Sequence, residues 1–217
     1  MKLDAVIFDM DGLMFDTEAL NLRAWQEAGR LHGFDIPDEV IHMHIGATVD
    51  VSRRIMLEHF GPGFDFDVIR ADRLAIARRE IEEKGTPVKR GLLELLAFLK
   101  ERHIKTAVAS STEERYVRFY IDRAEIKHVF DALICGDKVK RSKPAPDIFL
   151  AALDILGVAA GSAMVLEDSY NGVRAAAAAG IRVVMVPDLL PATPEMEELC
   201  LQIADSLLAI PSLCSLA

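Results

Sequence analysis

Cysteine is scarce in this chain: Cys135, Cys200 and Cys214 are three in number and form no Cys-x-x-Cys. An odd set at that spacing speaks against a disulfide framework and a thiolate zinc site, and it points to a reducing compartment, the cytoplasm. Long apolar runs are missing too. None approaches the roughly 18 residues that a membrane span needs, and Asp4 stands where a secretory signal would begin its apolar stretch. Neither a membrane nor export is expected. Basic residues are in deficit, with 25 Lys and Arg against 34 Asp and Glu for a net charge of −9. A field of that sign repels phosphodiester polymers, so nucleic acid is not an expected partner. The nucleophile elbow Gly-x-Ser-x-Gly, the phosphate loop Gly-x-x-x-x-Gly-Lys and the dinucleotide loop Gly-x-Gly-x-x-Gly are absent; Gly61-Pro62-Gly63 is followed three residues later by Phe66. Acyl transfer and nucleotide-cofactor chemistry thus lack their signatures. The six histidines suggest no shared metal, because His42 and His44, two apart, fall on different faces of a helix and read as ordinary surface residues.

What the chain does have is core-forming material. Hydrophobic residues make up 51 % of its 217 positions, enough for one large domain or one domain with a modest insert, and incompatible with general disorder. Three apolar runs stop abruptly at polar residues: Leu3–Phe8 before Asp9, Ala107–Ala109 before Ser110, and Ala163–Leu166 before Glu167. Each reads as a buried strand, and Ile181–Val186 reads as another. Helical period appears at Leu92, Leu95, Leu96 and Leu99, at Ile148, Ala151, Ala152 and Ile155, and through the alanine-rich Arg174–Ala179 closed by Gly180. This alternation predicts an α/β fold, a doubly wound parallel sheet with helices on both faces.

Between Thr17 and about Val88 the rhythm changes to helix alone, marked by Leu20, Ala24, Ala28 and Leu31, by Met56 and Phe60, and by Leu74, Ala77 and Ile81. Breaks fall at Gly33, Pro37, Gly46 and Gly61-Pro62-Gly63. An insert of roughly 70 residues is too long for a loop and suits a small lid. The chain therefore divides into an α/β core of residues 1–16 and 88–217 and an inserted all-helical cap of residues 17–87, with hinges near Asp16–Thr17 and Thr86–Gly91.

In an open α/β sheet, ligands gather at the carboxyl ends of the strands, which is where Asp9, Asp11, Ser110, Glu167 and Asp168 should converge. If strand geometry continues past Asp9, a period of two sends the Asp9 and Asp11 carboxyls to one side, and Gly12 permits a tight exit. Such an all-oxygen, anionic pocket needs a cation and suits octahedral Mg²⁺. A calcium-loop register fails, because it places apolar Ile7 at the first ligand position. Taken singly, Ser110 could cap the Glu113–Asp122 helix, Lys143 could be a solvated loop cation, and Glu167-Asp168 could cap the helix from Ser169. None of these readings explains all the features in this order.

Together these residues resemble the haloacid-dehalogenase-like hydrolases, in the branch of β-phosphoglucomutase and small sugar-phosphate or nucleotide phosphatases. The motifs are Asp9-Met10-Asp11-Gly12-Leu13-Met14-Phe15-Asp16-Thr17, Ala107-Val108-Ala109-Ser110-Ser111, Lys143-Pro144-Ala145-Pro146-Asp147-Ile148-Phe149 and Val165-Leu166-Glu167-Asp168-Ser169. The resemblance spans nearly the whole chain and implies a Rossmann-like core with a helical cap inserted after the first motif. It further implies an aspartyl phosphate on Asp9, with Asp11 as general acid and then general base. Mg²⁺ would be held by Asp9, Asp168 and the Asp11 carbonyl, with Glu167 binding directly or through water. Ser110 and Lys143 would grip the phosphoryl oxygens. Asn21, Thr48 and Arg73 of the cap, with Ser111, would meet a small phosphorylated metabolite: a sugar phosphate, sugar-acid phosphate or nucleotide. The chain is expected to act as a monomer.

Within the family, Asp11 and the Glu167-Asp168 pair argue against the metal-free dehalogenases. Mutases of this branch carry a histidine at the place of Asn21 and an arginine at the place of Val49; neither substitute can relay a proton or grip a second phosphate. That favours a phosphatase, with a mutase as the rival if Arg53, Arg54 or Arg73 supplies the second grip. A phospho-accepting signalling module would be half as long, without a lid, and would place its lysine after the last acids.

Overall fold

Ala5-Val6-Ile7-Phe8 has no polar side, and as β1 (Ala5–Phe8) it is buried throughout, as a strand covered on both faces must be. In chain order there follow α1 (Thr17–Leu31), α2 (Asp38–His42), α3 (Val49–Phe60), α4 (Phe66–Lys84), α5 (Leu92–Glu101), β2 (Lys105–Ser110), α6 (Glu114–Arg123), β3 (Ala132–Cys135) and α7 (Asp147–Leu156). The chain then continues through β4 (Ala163–Glu167), α8 (Tyr170–Ala178), β5 (Arg182–Met185), α9 (Pro194–Leu199), β6 (Gln202–Ile203) and α10 (Ile210–Cys214). The computed structural model describes residues 3–43, 45 and 47–214. The expected break at Gly46 and the surface reading of His44 lie outside the described residues.

All six strands are parallel, in the order β3-β2-β1-β4-β5-β6. Alternation along β1 splits the core in two. Val6 and Phe8 join Leu92, Leu95, Leu96 and Leu99 of α5 on one face, while Ala5 and Ile7 join Ile148, Phe149 and Ala152 of α7 on the other. The alanines of α8 let that helix lie close to the second face, with Ala175 and Ala176 fully buried. Two departures come from packing. Leu31 and Ile155, both placed in apolar stripes by sequence period, are 67 % and 62 % exposed; α7 instead turns Phe149, Leu153 and Leu156 inward. The two edge strands are short: β3 is the four-residue apolar run Ala132-Leu133-Ile134-Cys135, and β6 is only Gln202 and Ile203, with no apolar run to distinguish it from a loop.

The stretch from Thr17 to Lys84 is helical, as expected. Trp25 and Ala28 of α1, Met56 of α3 and Phe66 and Ile69 of α4 form its own small core. Leu20, Ala24, Ala77 and Ile81 instead join the main core through Leu13, Met14 and Phe15. Both crossings between cap and core run side by side: the Asp16 amide donates to the Pro87 carbonyl at 2.8 Å, and the Lys89 amide to that of Met14 at 2.9 Å. The cap is thereby tethered by a short paired ribbon directly after the first motif.

Candidate active site

β1, β2 and β4 are neighbours in the sheet, so the residues closing them meet at one end, where the winding of the chain reverses. Lys143 enters from the loop before α7 with its side chain 1 % exposed. Its ammonium donates to Asp9 Oδ1 at 2.5 Å, to Glu167 Oε1 at 2.6 Å and to the Ala109 carbonyl at 2.9 Å. It is therefore not a solvated loop cation. Glu167 is fully buried, and its second oxygen accepts from the amides of Asp168 and Ser169 and from the Ser169 hydroxyl at 2.9–3.0 Å. The helix after it is capped by Ser169, whose Oγ accepts from the Gly172 amide, and not by Glu167-Asp168. Gly172 matters for the same reason: a Cβ there would stand 1.7 Å from Glu167 Oε1.

Asp9, Glu167 and Asp168 bring carboxylate oxygens within 4.8 Å of one another. Three carboxylates face one ammonium, which leaves two negative charges in a buried place; a divalent cation cancels them. Asp168 Oδ1 is buried without a hydrogen-bond partner, an arrangement that costs free energy unless something else meets the oxygen. Gly12, at φ +84°, clears the space beside it, since a Cβ would stand 2.2 Å from Asp168 Oδ2. Without a cation, burial raises Asp9 to about 8 against the pull of Lys143, and Asp168 is raised by burial and by the Glu167 and Asp9 charges. Lys143 stays raised because Asp9 and Glu167 outweigh the effect of its burial. The donor set, all oxygen and all carboxylate, fits a hard divalent metal.

Asp11 lies apart from that group. β1 ends at Phe8, so a loop and not a continued strand brings both aspartates to one cavity. Its Oδ1 accepts from the Thr17 hydroxyl at 2.7 Å and its Oδ2 from the Thr112 hydroxyl at 2.8 Å. One clamp belongs to the first residue of the cap and the other to the loop after β2. Ser110 is buried and lines the cavity, its Oγ accepting from the Thr112 amide at 3.0 Å; Glu113, not Ser110, stands at the start of α6.

The cavity lies between core and cap, with a volume of about 150 Å³. Asn21, Arg73 and Ser111 line it, as do Val49 and Ser52. Asn21 Oδ1, Ser111 Oγ and Arg73 Nε are each buried without a hydrogen-bond partner. Thr48 does not line it; its hydroxyl caps α3 and it borders an adjoining cleft shared with Ser111 and Lys143. Of the other cap cations, Arg53 is paired with Asp67 and Arg54 is exposed. His42, read as a surface residue, is half-buried with an unpartnered Nε2. Sequence reasoning missed Thr112, Glu18 and the Arg70–Glu113 pair. Glu18, three residues before Asn21 on α1, shares its helix face and could have been found by spacing; burial raises it to about 8. The Arg70–Glu113 contact, at 3.0 Å, joins α4 to the core and has no local signal.

The profile of the haloacid dehalogenase-like hydrolases matches residues 6–186. A phosphorylated carbohydrates phosphatase of Thermotoga maritima is 31 % identical over 179 residues, 82 % of each chain. The structure of CbbY from Rhodobacter sphaeroides in complex with phosphate superposes with a TM-score of 0.83 at 27 % identity, covering 96 % of each chain. A β-phosphoglucomutase of Clostridium difficile shares the fold at TM-score 0.81 and 23 % identity, covering 96 % of this chain and 93 % of its own. Among the described residues no helix is long and apolar enough to cross a membrane. With its motifs at the strand ends and a helical cap after the first of them, this chain belongs to the haloacid dehalogenase-like hydrolases, in the branch of β-phosphoglucomutases and small-metabolite phosphatases, and is a phosphatase of that family.

Proposed function

We propose that this protein hydrolyses a small phosphomonoester, a phosphorylated carbohydrate or close relative, with the help of Mg²⁺ and through an aspartyl phosphate on Asp9. The observation that carries this reading is the division of labour between two aspartates. Asp9 sits in the carboxylate group beside Lys143, whereas Asp11 is held outside it by two hydroxyls. In this reading Asp9 attacks phosphorus, and Asp11 gives its proton to the leaving oxygen and later takes one from water, roles that their different surroundings support. Asp9 and Asp168 would hold the metal, with Glu167 fixed behind them by Lys143 and the Ser169 amide. When bound, Mg²⁺ supplies positive charge that keeps Asp9 ionised and opposes repulsion by the phosphate. Lys143, its three N–H groups held by Asp9, Glu167 and the Ala109 carbonyl, sets a fixed positive charge beside the transferring group, and the Ser110 hydroxyl can donate to one of its oxygens.

Residues 17–87 act as a lid in this reading. Closure excludes water while the leaving group departs, and opening releases the product. Val49 and Asn21 both face the cavity, and neither supplies a second phosphate grip or an imidazole, which supports hydrolysis over mutase chemistry. The protein is read as a cytoplasmic monomer.

The test is phosphate release from a panel of phosphorylated metabolites. Hydrolysis should stop in excess chelator and return with Mg²⁺. Asp9→Asn should retain the fold, judged by circular dichroism, and lose turnover. Substantial activity of Asp9→Asn, or full activity in chelator, would overturn the assignment. So would conversion of β-glucose 1-phosphate, with a trace of the 1,6-bisphosphate, to glucose 6-phosphate without phosphate release.

A further inference from the structure

Two arginines one helical turn apart on α4, Arg70 and Arg73, line the cavity. Their surroundings differ. Arg70 is neutralised from the core side, its guanidinium donating to Glu113 Oε1 at 3.0 Å while the other Glu113 oxygen pairs with Arg115 at 2.9 Å. Arg73 is half-buried and has no carboxylate at ion-pair distance among the described residues; burial lowers it, the fields of Tyr120, Asp11 and Glu18 raise it, and that of Arg70 lowers it. Its Nε is buried and unpartnered, and its guanidinium stands 5.7 Å from the centre of the Trp25 ring. A guanidinium withdrawn from water without an acceptor is costly, and planar oxyanions are the acceptors that match its fork.

We propose that the cavity selects phosphomonoesters whose leaving group carries one carboxylate, a phosphorylated sugar acid or hydroxy acid, with Arg73 taking the carboxylate and the Arg70–Glu113 pair turning away a second phosphate. This rests on the phosphatase reading above. The number of charges decides between the anions. The cap offers one uncompensated cation, so a carboxylate balances it, whereas a phosphate dianion would face the Glu113 carboxylate and lack a second partner. Glu18 lines the same wall, and burial raises its carboxyl, which lessens its opposition to a bound carboxylate. Asn21 Oδ1, unpartnered, can accept from a hydroxyl of the same leaving group.

The test compares matched substrates: 3-phosphoglycerate with glycerol 3-phosphate, and 6-phosphogluconate with glucose 6-phosphate, with fructose 1,6-bisphosphate as the doubly phosphorylated probe. In the wild type, kcat/KM for the carboxylated member should exceed that of its neutral partner about tenfold or more, the worth of one charged hydrogen-bonded contact. Arg73→Met should bring that ratio close to one, and Arg73→Lys should leave it intermediate. Glu113→Gln, which frees Arg70, should raise kcat/KM for the bisphosphate relative to the monophosphates. Glycerate should also raise the wild-type melting temperature where glycerol at equal concentration does not, a readout that needs no turnover. Equal kcat/KM within the pairs, or a preference that survives Arg73→Met, would overturn the proposal while leaving the phosphatase intact. No phosphate release from any ester would overturn the underlying reading and the proposal with it.

Discussion

Gly172→Ala tests how the candidate site is held together, because the substituted residue touches neither substrate nor metal. The added Cβ would stand 1.7 Å from Glu167 Oε1 and 1.9 Å from its Cδ. Glu167 must move, and it is pinned: Lys143 holds one oxygen at 2.6 Å, and two amides and a hydroxyl hold the other. Each hydrogen bond to a charged group is worth about 1.5–3 kcal/mol, and displacing the carboxylate breaks at least the two shortest. Against this, alanine in a helix gains about 1 kcal/mol over glycine. The balance is a loss of about 2–5 kcal/mol. In a domain of this size that lowers the melting temperature by on the order of 10 °C. Thermal unfolding and isothermal titration with Mg²⁺ measure both consequences, and the metal should bind more weakly because Lys143 loses one of its anchors and shifts on Asp9. Gly63→Ala is the control, since nothing lies within 4 Å of its Cβ; it should change stability by less than about 0.5 kcal/mol. If Gly172→Ala melted and bound Mg²⁺ as the wild type does, the account of Glu167 as a pinned anchor would be wrong.

Two further perturbations follow from the same charges. Lys143→Met leaves the Asp9 and Glu167 carboxylates buried without their cation, so in metal-free protein at pH 7 it should cost about 3–5 kcal/mol. Urea unfolding should show that loss shrink at pH 5 or with Mg²⁺, and an equal loss in every condition would refute the electrostatic cause. Glu18 is raised by burial from 4.5 to about 8, so between those values the native state keeps a proton that the unfolded chain has lost, and stability falls as pH rises through that window. Glu18→Gln removes the titration. In chelator, its melting temperature relative to wild type should climb from pH 4.5 to 8 and then level off; a constant difference would contradict the burial of an unpaired carboxyl.

The sequence by itself determines the local part of this protein. An apolar run that stops at a polar residue is a buried strand reaching the edge of its cover, so the ends of β1, β2 and β4, and with them Asp9, Ser110 and Glu167, are legible without coordinates. Helical period likewise marks α5 through Leu92, Leu95, Leu96 and Leu99, all of them buried. Where period meets a neighbour that is absent, it misleads, as at Leu31 and Ile155, which face solvent. Only the tertiary structure decides which partners the functional side chains have. Thr112 reaches Asp11 across 101 residues and Arg70 reaches Glu113 across 43, and nothing local distinguishes that threonine or that arginine from others. Gly172 reads as an ordinary helix residue until Glu167 is seen beneath it. The physical reason is common to all three: spacing along a strand or helix is set by backbone geometry, whereas a hydrogen bond or a steric limit between distant segments exists only once the sheet has been wound and the cap has folded back over it.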